Sequence, residues 1–217
     1  MTRTQTVCIV LTALLAVFPL SVCNTLGPGA GVRWDIERTE VRYMKGQDKD
    51  EPRRQLTAGD VVLMSVEGAC FVTQVLVCVL SYNSLGLGWL VYLGWTSLVV
   101  AMVVGWRARV AFQTHGHVKD PRNWLQTSVV VDRGIYGLVR HPMYLSFMLI
   151  SLGLVLLSQH WLNLALGVVL MGLLDNDTRR EERSNLDKFG EAYERYMQRV
   201  PRINIVLGVM RRVRSGR

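Results

Sequence analysis

MYLSFMLISLGLVLLSQHWLNLALGVVLMGLL, residues 143–174, is a run of 32 positions without Lys, Arg, Asp or Glu. A helix needs about 20 mainly apolar residues to cross a hydrocarbon core of about 30 Å. The run is therefore too long for one upright helix. Ser158-Gln159-His160 interrupts it near its middle. With His160 neutral, the halves 143–157 and 161–174 read as a tight hairpin of two short or tilted segments. That hairpin sets the class expected for the chain, an all-α integral membrane protein.

Outward from the hairpin the same test finds further segments. Residues 61–80 pass it with one charge, Glu67, and residues 87–106 pass it with none, carrying Trp89, Trp95 and Trp106 as interfacial anchors. Residues 6–22 are slightly short and contain Pro19. The expected total is five spans, the last two forming the hairpin. Expected to follow is a cytoplasmic amphipathic helix over 178–196, with Leu186, Phe189, Tyr193 and Tyr196 at spacings of three and four. Gly190 interrupts that helix mildly and Pro201 ends it. Two regions are expected: 1–60, a first span with a charged loop, and 61–217, the membrane core.

The charges are sorted to match. The connections 81–86 and 158–160 hold no Lys or Arg, whereas 23–60 holds seven, 107–142 six and 175–217 eleven. Only Arg3 precedes the first segment, so 24 of 25 basic residues fall on one predicted side. Cytoplasmic loops are enriched in Lys and Arg, which puts the amino terminus outside and the tail inside. Reading 6–22 as a cleaved signal peptide would put the seven-base loop outside, against that rule.

Half of the chain is hydrophobic and 19% is charged, with a mean hydropathy of +0.21. These values exclude a disordered or fibrous protein. The net charge of +8 comes with no nucleic-acid motif, and basic residues facing anionic headgroups account for it. The tail from Met210 onward reads as a membrane-surface tether. The four cysteines, Cys8, Cys23, Cys70 and Cys78, show no CxxC spacing, and nothing completes a metal set around His115 and His117. The chemistry is expected at the two ends of the hairpin. Pro142 is placed for the first turn of the fourth span. Free N–H groups there, beside Arg140 and His141, make a donor-rich positive spot suited to a carboxylate. Glu181 and Glu182, in the stretch RREER after the fifth span, suit an ammonium group. Together the two ends form a clamp for a zwitterion. The plain alternatives are headgroup contact for Arg140-His141 and a solvated helix face for the glutamates. Glu67, inside a span but a turn or two from its cytoplasmic end, is a functional candidate, a snorkelling residue or one with a polar partner.

GIYGLVRHPMY (134–144) followed by EERSNLDKFGEAYERYMQRVPR (181–202) resembles the isoprenylcysteine carboxyl methyltransferase and phospholipid methyltransferase superfamily. The likeness lies in Gly-x-Tyr, Arg-His-Pro-x-Tyr, an apolar hairpin, a Glu-Glu pair and Phe-Gly-x-x-Tyr-x-x-Tyr before Val-Pro, over roughly residues 85–205. The resemblance implies an integral membrane methyltransferase using S-adenosylmethionine on the cytoplasmic side, acting on a lipidic or small acceptor, with isoprenylcysteine-type O-methylation favoured. It implies a cofactor site at Ser128, Val129, Val130, Val131, Tyr136, Arg140, His141, Pro142, Met143, Tyr144, Glu181 and Glu182. In the family an arginine one turn before the glutamate pair lies near the acceptor carboxylate. Here Asp177 occupies that place and arginines stand at 179 and 180. Arg179 or Arg180 is expected to orient a carboxylate, with Arg180 chosen, and Glu181 or Glu182 to accept a proton from an amine, with Glu181 chosen. Two rivals are an NADPH-dependent sterol-type membrane reductase and a non-catalytic membrane scaffold.

Overall fold

The computed structural model describes residues 58–115 and 130–214. The expected first span, nearly all of loop 23–60, His117, Ser128 and Val129 lie outside the described residues. The described chain is all helical: α1 (Ala58–Leu80), α2 (Gly88–His115), a 3-10 turn (Gly134–Gly137), α3 (Pro142–Ser158), α4 (Trp161–Phe189), α5 (Glu191–Arg199) and α6 (Ile205–Arg214).

α1, with 23 residues, and α2, with 28, extend about 35 and 42 Å at 1.5 Å per residue. Both are long and apolar enough to cross a membrane. Their outer faces support that reading, because Val61, Val62, Met64, Val72 and Leu76 of α1 and Trp89, Tyr92, Val99, Val103 and Trp106 of α2 are all exposed. An apolar surface of this extent is foreign to a water-soluble monomer. α3 lies at the centre and packs against α1, α2 and α4. Gly94 of α2 and Gly153 of α3 set the approach of those two helices. A Cβ on Gly94 would lie 2.8 Å from the Leu157 side chain and 3.1 Å from Gly153 O, and one on Gly153 2.8 Å from the Leu98 side chain and 3.1 Å from Gly94 O, so each glycine lets the other's backbone come close.

The hairpin turns where the sequence indicated. α3 ends at Ser158, Gln159 adopts the left-handed conformation (φ 53°), and His160 begins α4, its side chain accepting the Leu162 N–H. α3 has only 17 residues, about 25 Å, so this polar corner needs its backbone satisfied by protein. The α1–α2 loop does so. Asn83 N–H donates to Leu157 O (2.8 Å), Ser84 N–H and Oγ donate to Ser158 O (3.1 and 3.0 Å), and Ser84 Oγ also reaches Gln159 O (2.7 Å). The Gln159 amide then pairs with both Leu87 backbone groups, at 3.1 and 2.9 Å. The two basic-poor connections are thus one hydrogen-bonded unit at one end of the bundle.

Two boundaries differ from expectation. α2 continues past Trp106 to His115, because Arg107-Ala-Arg-Val-Ala-Phe-Gln-Thr-His contains no breaker, so residues 107–115 are helix where a loop was expected. The charged stretch expected as a separate helix over 178–196 is instead the continuation of α4 to Phe189. Asp175 and Arg179 pair across one turn there, with Nε 2.8 Å from Oδ2, and support the continuation. The break falls at Gly190 (φ 53°), a conformation that favours glycine, and α5 starts afresh. One buried stripe, Asn163, Gly167, Leu170, Leu174, Thr178 and Glu182, runs the length of α4. The face that packs inside the bundle thereby delivers Glu182 to the site.

Candidate active site

Three segments converge beyond the ends of α3 and α4 opposite the hairpin corner. The first is GIYG and the chain into α3. Pro142 occupies its first turn, His141 is the N-cap, and no side chain caps the free N–H groups. The second is the charged half of α4. The third is the tail after α5. The tail is laced to the first segment through its backbone, with Arg140 N–H donating to Pro201 O (2.9 Å) and His141 N–H to Arg202 O (3.1 Å). Tyr196 adds a buried hydrogen bond from its hydroxyl to Tyr136 O at 2.7 Å. Val130 packs with Tyr193, Tyr196 and Val200, and Val131 with Ala108, Ala111 and Tyr136.

Glu182 is the centre of this convergence, 4% exposed. A carboxylate so placed must be paired. Arg202 holds it by two parallel contacts, Nε to Oε1 at 3.0 Å and Nη2 to Oε2 at 2.5 Å, the fork geometry that only arginine offers. Arg140 Nη1 lies 3.0 Å from Oε1 and His141 Nε2 3.4 Å from it. Burial opposes ionisation of Glu182. The hydrogen bonds from His141 and Arg202 and the charge of Arg140 outweigh it, and the carboxyl is held down at about 2. Arg202 is raised in turn by its bond to Glu182, and it also reaches Asp175 Oδ1 at 3.6 Å.

Arg202 divides its contacts between Glu182 and Asp175, and Arg140 keeps donor capacity beyond Glu182. Arg140 Nε is buried without a hydrogen-bond partner, and Arg140 Nη1 and His141 Nε2 are paired with Glu182 Oε1. Donor capacity is therefore held ready in a dry place, which fits an incoming carboxylate. Next to them Glu181, its side chain 45% exposed, lies 3.8 Å from His141 Nδ1 and within hydrogen-bonding reach of Tyr144. The ring of Tyr144 meets His141 edge-on at 5.8 Å. Burial first and Glu181 second push the Tyr136 hydroxyl up, so it stays neutral. The buried donors and the accessible Glu181 carboxylate are together the two poles that a zwitterion requires.

Of the expected site residues, Tyr136, Arg140, His141, Tyr144, Glu181 and Glu182 are brought together in this way. Pro142 is fully buried at the start of α3, and Met143 packs, half-buried, against the cluster of Val131 and Tyr136. Val130 and Val131 support the site through their packing. Arg180 points elsewhere, with Nη1 3.6 Å from Asp60 at the start of α1. Glu67 of α1 meets Asp177 of α4, and its Oε1 is buried without a hydrogen-bond partner. Arg202 is the residue that sequence reasoning passed over. It stands at the end of the quoted motif, directly after Val-Pro, but nothing in its spacing tells that it folds back twenty positions onto Glu182.

A family model described as phospholipid methyltransferase matches residues 89–189. The protein-S-isoprenylcysteine O-methyltransferase of Schizosaccharomyces pombe is 33% identical over 93 residues. The match covers 42% of this chain and 39% of that relative, so the chain spans well under half of the relative's length. No solved structure matches the chain. The matched residues run from the beginning of α2 to the last residue of α4 and contain the Arg140, His141 and Glu182 cluster. Over these residues the chain is similar to the phospholipid methyltransferase family and to an isoprenylcysteine O-methyltransferase.

Proposed function

We propose that the protein transfers a methyl group from S-adenosylmethionine to a lipidic or small acceptor at the cytoplasmic face of a membrane that it crosses five times. Residues 1–60 would supply the first span and a charged loop, and 61–217 the catalytic core. The observation that carries the reading is the buried Glu182 held by Arg140, His141 and Arg202 beside the accessible Glu181.

The cofactor, when bound, supplies a methyl group on a positively charged sulfur, open to in-line displacement. Arg140, His141 and the N–H groups at the start of α3 bind the carboxylate of its methionine part. Glu181 faces the ammonium, with Tyr136 and Tyr144 bordering the same space and Val130, Val131, Pro142 and Met143 closing it against water. Exclusion of water strengthens every fixed charge in the site and removes a competing acceptor, while holding the reactants in line supplies most of the remaining acceleration. Glu182 does not titrate during turnover, since its carboxyl is held at about 2; it positions Arg140 and His141. Ser128 and Val129 precede this wall and are assigned to the cofactor by the motif alone.

Isoprenylcysteine-type O-methylation is the first reading of the acceptor, following the relative's name. Arg180 would then leave Asp60 to orient the acceptor carboxylate. An amine acceptor is the second, favoured by the contact of Glu67 with Asp177, a carboxyl pair sharing a proton whose remaining negative charge attracts a cation where α1 meets α4, with Glu181 taking the proton.

The test is titration of S-adenosylmethionine, and separately of NADPH, into detergent-purified protein. S-adenosylmethionine alone is expected to bind. His141→Ala and Glu181→Ala are each expected to weaken it about tenfold or more, the size of a lost charged hydrogen bond. Unchanged affinity in both variants would remove the site assignment, and no binding by the parent would remove the function. Offering labelled cofactor with an S-prenylated cysteine and with phosphatidylethanolamine decides the acceptor. Binding with no labelled product from either or from a native lipid extract would leave a scaffold.

A further inference from the structure

α6 (Ile205–Arg214) takes no part in the site, yet it is built in an unusual way. Asn204 caps it, with Oδ1 accepting the Leu207 N–H at 3.0 Å. At 100° per residue, its inner face is marked by Gly208, which is buried. A Cβ at Gly208 would collide with the Leu138 carbonyl, so the helix backbone rests directly on the chain that leads into Arg140 and His141. On the opposite face Val206, Val209, Met210 and Val213 form an i, i+3, i+4, i+7 stripe, each at least 45% exposed and Val213 75% exposed. Exposed Arg212 and Arg214 flank that stripe on its two sides. Seven arginines and no acidic residue follow Glu194 in the sequence. An apolar stripe flanked by arginines matches in shape and charge the boundary between acyl chains and anionic headgroups.

We propose that α6 is an in-plane helix that docks on anionic lipid and, through Gly208 and Leu138, braces the segment of residues 138–141. The apolar stripe enters the acyl boundary while Arg214 stays at the phosphates, its stem lying along the stripe. The brace acts through contacts already described: the α6 backbone bears on Leu138, and the next two residues but one, Arg140 and His141, hydrogen-bond to Pro201 and Arg202. Lipid charge thereby bears on the order of the Glu182 cluster from outside it.

Amide hydrogen exchange of the full chain in lipid nanodiscs tests this without any appeal to the chemistry at the site. Discs of phosphatidylcholine are compared with discs containing added phosphatidylglycerol. Anionic lipid is expected to slow exchange across 205–214, and with it the amides of Arg140 and His141. Arg214→Gln is expected to reduce the slowing about fivefold, the factor for one arginine at a charged surface. The double change Val206→Ser and Val213→Ser is expected to abolish protection of α6 in both kinds of disc. The amides of Asn83 and Ser84 at the far end serve as the control for folding and should not move in any variant. Equal exchange in the two kinds of disc would overturn the proposal. So would protection of α6 that appears only with two copies per disc, which would assign the stripe to a second chain. Slowing of 205–214 with no change at Arg140 and His141 would overturn the brace.

Discussion

Glu182 shows how one residue joins parts of the chain that are distant in sequence. Its carboxylate is buried by the stripe of α4, neutralised by Arg140 and Arg202 and contacted by His141. Its loss is therefore felt as unpaired charge on two arginines rather than as one missing contact. Glu182→Gln is expected to destabilise the fold by about 3–5 kcal/mol, the range for breaking a buried pair, read as the unfolding midpoint in detergent. The dependence on pH has a definite sign. The folded carboxyl lies at about 2, below its ordinary value of 4.5. The stability it contributes is complete above about 4.5 and is lost as pH falls towards 2. In Glu182→Gln this acid-side loss should be absent, and a parent curve that stays flat across that interval would contradict the pairing. Tyr196→Phe removes a 2.7 Å hydrogen bond to a buried carbonyl and is expected to cost about 1–3 kcal/mol. The same unfolding measurement checks it. Motif spacing made Glu182 and His141 legible beforehand. The role of Arg202 was not legible, because a return contact across twenty residues depends on the turn at Gly190 and the extended Val200–Pro201 link.

At the scale of elements, α4 does two jobs with one stripe. Its apolar half closes the hairpin and its charged half carries the site. Near its start, the fully buried Asn163 donates to Leu154 O (3.0 Å) and Ser158 Oγ (2.9 Å), and Gln74 of α1 reaches the Asn163 carbonyl at 3.4 Å. In a medium without water these bonds hold the corner and the register of α1 on α4. Asn163→Ala is expected to cost about 1–2 kcal/mol, seen as an earlier thermal transition, and to raise the exchange of the Asn83 and Ser84 amides. No change in that exchange would mean the corner is held by Ser84 and Gln159 alone. The hairpin itself was plain in residues 143–174, since a charge-free run with one polar interruption has few other solutions. The reach of α2 to His115 and the fusion of 175–189 to α4 were missed. Polarity marks where a helix leaves the membrane, whereas only a breaker marks where it ends.

For the whole molecule, the segregation of charge and the hydrogen-bonded ends agree. The basic-poor connections 81–87 and 158–160 form one unit, and the segments 137–141, 175–182 and 201–208 gather at the other end with Asp60. Cysteines placed at Leu85 and at Arg183, in a background lacking the four native ones, are expected to react with an impermeant reagent from opposite sides of the membrane, Arg183→Cys from the cytoplasm. Labelling of both from one side would overturn the topology. The sequence by itself determined the class, the hairpin, the sidedness expected of the charge and the residues of the motif, because length, hydrophobicity and local spacing act over a few turns of helix. Tertiary structure alone decided that Glu182 is the neutralised centre, that Arg202 completes it, that Arg180 turns to Asp60 and that α6 bears on Leu138. Each of those depends on which distant segments meet, and the meeting is set by close packing of the whole bundle rather than by any stretch within it.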